Sequence, residues 1–405
     1  MEKLKAREHD FGSKLRQESV IRRLRDYVSW QRGKRGLEKA PTAQKIPNVG
    51  PLSINLDLTL ACNFACPHCV DSMILNRGKS IPLEEVKKTL DVLHSNGLRS
   101  VILVGGGEPT LHPKFEEVVR HIKIKELQLG IVTNGSRLDK ILDVADLLKE
   151  KDWVRISIDA ATEATFREMH RPRTALTLKQ ILKRAKRLKE RNPIVSLGYS
   201  FVIVWEGMEA NGNPLTPNVE EMAEAVRLAK EYAFDYVSFK PCLVRLRESQ
   251  RESLLDHVDK KKEAEIAEKI RINLEKAKAQ AGDAVKILDS VNLKALLNEE
   301  TDEIKRQPKR CHMQFFRTVV TPSGVFHCPA FRGIAKAKIA GDDGYMDFDE
   351  SIESTARSIL GFDAEEECKE VGCFYHDANW WLERLIHSGK EVDQIETVKD
   401  DNFFL

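Results

Sequence analysis

The chain has 405 residues, 41% hydrophobic and 32% charged, enough apolar material for two domains or for one large barrel with an appendage. Its 65 Lys+Arg and 63 Asp+Glu leave a net charge of +2, which argues against nucleic-acid or anionic-membrane binding. No apolar run approaches the roughly 18 residues of a membrane span, and MEKLKAREHDFGSKLR lacks the apolar core of a secretion signal, so the expected compartment is the cytoplasm.

Residues 1–33 carry Leu15, Val20, Leu24 and Val28 at helical spacing among Lys and Arg, and 33–51 is a Gly- and Pro-rich linker. INLDLTL (54–60) alternates as a strand does and is followed by a helical pattern at 83–95. VILVGG (101–106) precedes a helix at 113–124, LQLGIVTN (127–134) one at 137–150, and WVRISID (153–159) two at 162–169 and 177–190. IVSLGYSFVIV (194–204) precedes 218–232, and DYVSFKP (235–241) comes last. Six strands with intervening helices predict parallel βαβ units, an α/β fold of the partial (β/α)6 TIM type, with chemistry at the C-terminal strand ends. The stretch 247–306 is charged and helix-forming and reads as a solvated helical connector. Beyond 307 come four cysteines, short strand-like pieces and a closing NFFL. The expected plan is an N-terminal helix and linker (1–51), barrel (52–246), connector (247–306) and small α+β cysteine-rich domain (307–405).

Three of the eight cysteines, Cys62, Cys66 and Cys69, crowd into LACNFACPHCV (60–70) directly after the first strand. In a reducing compartment such clustering serves metal or redox chemistry rather than disulfides. Three thiolates are one short of a closed zinc or iron–sulfur site, so a cube held by C-x3-C-x2-C would keep one iron open to a small molecule. A zinc loop or chance spacing is the bland alternative. The spacing resembles that of the radical S-adenosylmethionine (SAM) superfamily, and GGGEP adds to the likeness through Gly106, Gly107, Glu108 and Pro109 after the second strand.

The resemblance covers about 52–241 and implies a 4Fe–4S cluster on the three cysteines, with SAM chelating the open iron. It further implies reductive cleavage to a 5′-deoxyadenosyl radical that abstracts a hydrogen from a substrate C–H bond. His68 matches the aromatic position packing near adenine, and the Gly106–Pro109 turn matches the element that faces the methionine ammonium, with Glu108 supplying charge. In RISID, period-two geometry puts Ser157 and Asp159 on one face, where the family contacts ribose and carboxylate. Asn134 in TNG and Arg171 in HRPRT occupy comparable ligand positions, although a turn asparagine and a surface arginine are the plain readings.

Cys311, Cys328, Cys368 and Cys373 resemble a SPASM domain in its shorter twitch form, with a Pro-Ser-Gly hairpin between the first two. Cys311-x12-Gly324-x3-Cys328 and Cys368-x4-Cys373 both depart from the usual spacing. Four thiolates suit a second, fully ligated 4Fe–4S centre or a structural zinc. Cys242 ends the sixth strand and reads as a buried hydrophobe or as a hydrogen-atom donor in a radical epimerase. Lys240 and Arg245 beside it would meet an anionic substrate or simply be solvated. The expected partners are a small-molecule or peptide substrate and a flavodoxin or ferredoxin reductant, with no nucleic acid and no membrane. The reading from another class is a non-catalytic iron–sulfur or zinc protein for electron transfer or assembly, which leaves GGGEP without a purpose.

Overall fold

The computed structural model describes residues 10–34, 45–246, 249, 251–254 and 260–401. The NFFL tail at 402–405, residues 1–9 and much of the linker at 33–51 lie outside them. A first long helix α1 (Ile21–Lys34) leads to β1 (Ser53–Leu56), α2 (Leu83–Ser95), β2 (Ser100–Leu103), α3 (Phe115–Ile124), β3 (Gln128–Thr133) and α4 (Leu138–Leu142). Next come β4 (Trp153–Ser157), α5 (Glu163–His170), α6 (Leu178–Arg191), β5 (Ser196–Ile203), α7 (Met222–Glu231) and β6 (Tyr236–Pro241). Strands β1 to β6 are parallel neighbours in sequence order, the arrangement of a partial barrel.

Local chemistry explains the element ends. Helix α2 buries Val86, Leu90 and Leu93 and carries Glu84 and Glu85 in its first turn, where the helix dipole favours acids. Helix α6 opens with a reciprocal capping box between Thr177 and Gln180. The strands stop earlier than their apolar runs. β2 ends at Leu103 before a glycine turn, and β4 ends at Ser157. One strand face, with Leu56, Leu103, Ile131, Ile156, Tyr199 and Phe239, joins the main core beneath the helices. The opposite face lines the barrel interior and is polar in part, with Ser157, Ser200 and Ser238 aligned in one row.

The stretch expected to be a solvated connector is built into the barrel instead. Its helix α8 (Lys260–Ala281) buries Ile266, Ile270, Leu274 and Ala277, and β7 (Lys286–Asp289) then pairs in parallel with β6. Four small or apolar residues at helical spacing suffice for one helix contact, although the surrounding charges mask them. Helix α9 (Val291–Leu297) buries Leu293 and Leu296 in the same core.

The C-terminal region extends the sheet from its other edge. β8 (Arg317–Thr321) pairs in parallel with β1, then forms a hairpin with β9 (Gly324–Phe326), to which β10 (Lys338–Ala340) adds. One ten-stranded sheet therefore runs β7-β6-β5-β4-β3-β2-β1-β8-β9-β10. A second core lies over this end, joined by α10 (Phe348–Gly361) and α11 (His376–His387). Helix α1 belongs to that core. Tyr27 stacks on Phe315 with ring centroids 4.7 Å apart, and its hydroxyl lies 2.8 Å from His312 Nδ1. Arg32 donates to the Leu385 and Ile386 carbonyls at the end of α11, where a cation complements the dipole. No described helix is long and apolar enough to cross a membrane.

Candidate functional site

The chain leaves β1 into a loop carrying Cys62, Cys66 and Cys69, all free and half-buried. Phe64 anchors this loop from below, buried against Phe166 and His170 of α5. The Cys62 amide donates to Asn76 Oδ1 at 2.9 Å, and the Ala65 amide donates to the His170 carbonyl at 3.1 Å. The glycine turn after β2 lies directly against the loop: the Glu108 amide donates to the Ala61 carbonyl at 2.8 Å. A Cβ on Gly107 would collide with the Ala61 and Thr59 carbonyls, which is the physical demand for glycine there.

Burial, then the charges of Cys69 and Cys62, pushes the Cys66 thiol well up. Burial, then the Asp71 charge, pushes Cys69 up to about 12. The three sulfurs thus share one neighbourhood in which thiolates repel, and a bound cation reverses that logic. His68 Nδ1 is buried with no hydrogen-bond partner and faces the same rim. The donor set and this orphaned nitrogen fit a cluster with a nucleotide cofactor.

Glu108 is 2% exposed and committed to its own protein. Its carboxylate accepts from the Thr110 amide at 3.1 Å, the Thr133 hydroxyl at 2.7 Å and the Asn134 amide at 2.7 Å, as well as from the Thr110 hydroxyl. The charge assigned to a bound ammonium therefore staples β2 to β3. Burial raises its carboxyl despite those donors. Asn134 donates to Asn63 Oδ1 at 3.0 Å and stands 3.9 Å from the Cys62 sulfur.

Ser157 is half-buried at the end of β4, but the period-two pairing with Asp159 does not hold. Asp159 has left the strand with φ of 52° and is 2% exposed. Its carboxylate accepts from the Val202 amide at 2.7 Å and lies 3.3 Å from His170 Nε2 and 3.6 Å from His68 Nε2. Burial alone would raise this carboxyl, yet His170 and His68 hold it well below the usual carboxylate range. Arg171 is exposed at the left-handed end of α5, away from these contacts, and its neighbour His170 is the inward residue. His170 Nδ1 stands 3.3 Å from the Cys66 sulfur, linking Asp159 to a cluster thiol. Phe166 and His170 lie four apart on α5, a spacing that marks His170 as core-facing from the sequence.

The other four cysteines converge as well. Cys311, Cys368 and Cys373 are buried and Cys328 is half-buried, all as free thiols. Burial, then Cys373 and Cys311, raises Cys328; burial, then Cys373, Cys311 and Cys328, raises Cys368. The expected hairpin exists, with Val319 opposite Phe326 and Thr321 opposite Gly324. Tyr375 carries a buried hydroxyl without a partner; burial raises its pKa, Arg317 pulls it down, and Cys328, Cys373 and Cys311 raise it further. An orphaned donor beside four thiols fits a group with its own acceptor atoms, such as a sulfide-bearing cluster. Among the described residues no three His, Cys, Asp or Glu side chains are set to hold a single metal ion.

Cys242 is 1% exposed in the main core, its amide bonded to the Ile203 carbonyl. Arg245 donates to the Val70 carbonyl at 2.6 Å and pairs with Glu252 at 3.4 Å, so it is not free for substrate. Lys240 is half-buried near the C-terminal end of β6. Sequence reasoning missed Arg332, which reaches from the C-terminal region to Asp57 at 2.7 Å and Asp71 at 2.9 Å.

Residues 56–208 match the model of the radical SAM superfamily. An S-adenosylmethionine-dependent nucleotide dehydratase from Selenomonas ruminantium is 33% identical over 114 residues, covering 28% of this chain and 41% of that protein. The antilisterial bacteriocin subtilosin biosynthesis protein AlbA from Bacillus subtilis is 28% identical over 189 residues, covering 46% and 39%. The matched stretch thus spans less than half the length of these curated relatives. Streptococcus suis SuiB bound to S-adenosylmethionine shares the fold with a TM-score of 0.58 at 16% identity, over 88% of this chain and 79% of SuiB. The cysteine loop and the glycine turn packed against it both lie within residues 56–208, the stretch that matches the radical SAM superfamily.

Proposed function

We propose that this chain is a radical SAM enzyme that takes a hydrogen atom from a C–H bond of a peptide substrate, in a two-electron oxidation assisted by the four-thiol site. The observation that carries the reading is the trio of half-buried thiols, Cys62, Cys66 and Cys69, backed by the Gly106–Pro109 turn. When bound, a 4Fe–4S cluster and SAM supply a 5′-deoxyadenosyl radical, a hydrogen abstractor that ordinary side chains do not provide. Cys62, Cys66 and Cys69 would hold that cluster, and Cys311, Cys328, Cys368 and Cys373 a second one.

The remaining residues orient and shield. Gly106 and Gly107 have no side chains that would stand between their carbonyls and a bound ammonium. Ser157 offers a hydroxyl toward ribose. Asp159 fixes the ring of His68, and its contact with His170 steadies the Cys66 sulfur. A peptide substrate is supported by two likenesses: AlbA is named for bacteriocin biosynthesis, and SuiB has been solved with its precursor peptide SuiA. A cytoplasmic flavodoxin or ferredoxin would supply the electron.

The test is anaerobic reconstitution, iron and sulfide counting, and an assay for 5′-deoxyadenosine from SAM under dithionite. Two cubes and deoxyadenosine release are expected. A fully loaded protein that leaves SAM intact would favour a non-catalytic electron-transfer or assembly role, and zinc in place of iron at the four-thiol site would remove the second cluster. Epimerisation, with Cys242 as the hydrogen-atom donor, is the second reading; the thiol directly follows β6 and is packed in the main core at 1% exposure.

A further inference from the structure

Inside the barrel, β4 and β6 present two cations, Arg155 and Lys240, that form no ion pair among the described residues. Val154 and Ile156 of β4, and Val237 and Phe239 of β6, face the helices. Arg155 and Lys240 therefore face the interior. Register places Arg155, Gly198 and Tyr236 in one row across β4, β5 and β6, with Lys240 further toward the C-terminal rim opposite Val202. Gly198 has no room for a Cβ because the Tyr236 ring lies over it, which turns the phenol into the interior.

Arg155 Nε is buried without a hydrogen-bond partner, while its guanidinium lies over the Trp153 ring at 5.2 Å. Lys240 is surrounded by protein yet keeps accessible surface, as expected of a side chain in a chamber rather than in packed core. Burial, then the Arg155 charge, lowers its ammonium to about 7. Asp159 is the carboxylate whose charge opposes that effect, and it is already committed to the Val202 amide, His170 and His68. Two buried like charges persist at a cost that a bound anion would offset.

We propose that Arg155 and Lys240, with the Tyr236 hydroxyl beside Arg155, form a subsite on the inner barrel wall that holds a carboxylate or phosphate group of the substrate. This rests on the reading of the barrel interior as the substrate chamber, and it narrows the substrate to one bearing an anionic group. Bidentate geometry suits the guanidinium to either oxyanion, and the lysine supplies a second point of charge.

The test uses the full chain and needs neither cluster nor turnover. Lysines are acetylated near neutral pH with and without inorganic phosphate, glutarate or L-methionine, and labelling is followed residue by residue by mass spectrometry. Lys240 should label early, and phosphate or glutarate at ten times its dissociation constant should slow it about tenfold while leaving exposed Lys230 unchanged. Arg155→Gln should abolish the protection, and Arg155→Lys, which keeps the charge, should retain part of it. Lys240 that is unprotected by phosphate and glutarate in the wild-type chain overturns the proposal. Protection by methionine alone also overturns it, because the pair would then belong to the carboxylate of SAM. Either outcome with intact SAM cleavage would leave the radical reading standing.

Discussion

Cys62, Cys66 and Cys69 stand half-exposed on one short loop, whereas Cys311, Cys328, Cys368 and Cys373 are gathered from three separate places and are mostly buried. The first set needs only local order: one loop, one wedge at Phe64 and one turn behind it. The second needs the hairpin of β8 and β9, the segment before α11 and the aromatic core that α1 completes. Closing long loops costs more entropy than closing short ones, so the second site depends more on the surrounding fold. It is also better shielded from solvent. The first site has to keep a face open to a ligand. Arg332 ties the two together. It lies four residues after Cys328, and it holds Asp71, two residues after Cys69.

Removing thiols should separate the two sites most sharply. Cys62→Ala or Cys66→Ala should drop SAM cleavage to background and lower the iron content by about four atoms, one cube. Cys311→Ala or Cys373→Ala should lose the same iron but keep SAM cleavage, and should lower the unfolding midpoint because metal binding there is coupled to folding. Iron analysis, deoxyadenosine release and urea unfolding on all four variants check this. Equal loss of SAM cleavage in both pairs would erase the distinction.

Arg332→Met comes next. Asp57 is 0% and Asp71 8% exposed, and both face this guanidinium. Burial pushes Asp57 up to about 7 even though Arg332 pulls it down, and Glu252 nearby is also pushed to about 7 by burial. With three acids around it, Arg332 keeps its charge while the acids compete to lose theirs. Breaking such a pair typically costs about 3–5 kcal/mol, part of which protonation of Asp57 would relieve. Urea unfolding within about 1 kcal/mol of wild type would reduce the link to a mere contact.

The barrel was legible because each strand joins a β-branched or aromatic run to a turn, and each helix has an apolar stripe strong enough to see. The cysteine loop and glycine turn were legible because they are contiguous in sequence. What escaped the sequence depends on partners far away in the chain. Strand β7 reads as KILD within a charged stretch, and only the edge of β6 makes it a strand. Glu108 looked like a charge awaiting a ligand because Thr133 and Asn134, which occupy it, arrive from another strand. Residue types alone do not show that His170 rather than Arg171 turns inward, because the left-handed turn that expels Arg171, at φ of 42°, depends on the backbone.

Glu108→Gln tests whether the glycine turn acts as staple or ligand. An amide nitrogen would oppose one of the present donors, so a loss of about 1–3 kcal/mol is expected. The pH dependence has a definite sign. The folded carboxyl is raised above its ordinary 4.5, so its favourable contribution is complete below that pH and is lost as pH rises through the folded value. Wild type should therefore lead the variant most in acid, and the gap should narrow toward neutral pH. Weaker SAM binding with unchanged stability at every pH would instead make Glu108 a ligand.

Cys242→Ala carries the smallest expected effect. The thiol is packed in the main core, with its sulfur 3.6 Å from the Leu243 carbonyl, and removing one sulfur should cost about 1 kcal/mol. If the reaction is a net oxidation, the variant keeps full deoxyadenosine release and gives a product with two fewer hydrogens. If the thiol returns a hydrogen atom, wild type run in deuterium oxide gives a product of unchanged composition bearing one deuterium, and the variant does not. The thiol is buried at 1% exposure, so isotope uptake should be followed over many turnovers rather than in the first. Mass spectrometry of the product separates the two cases: net oxidation releases an electron that needs an acceptor, whereas epimerisation leaves a thiyl radical that needs one electron and one proton to return to the thiol.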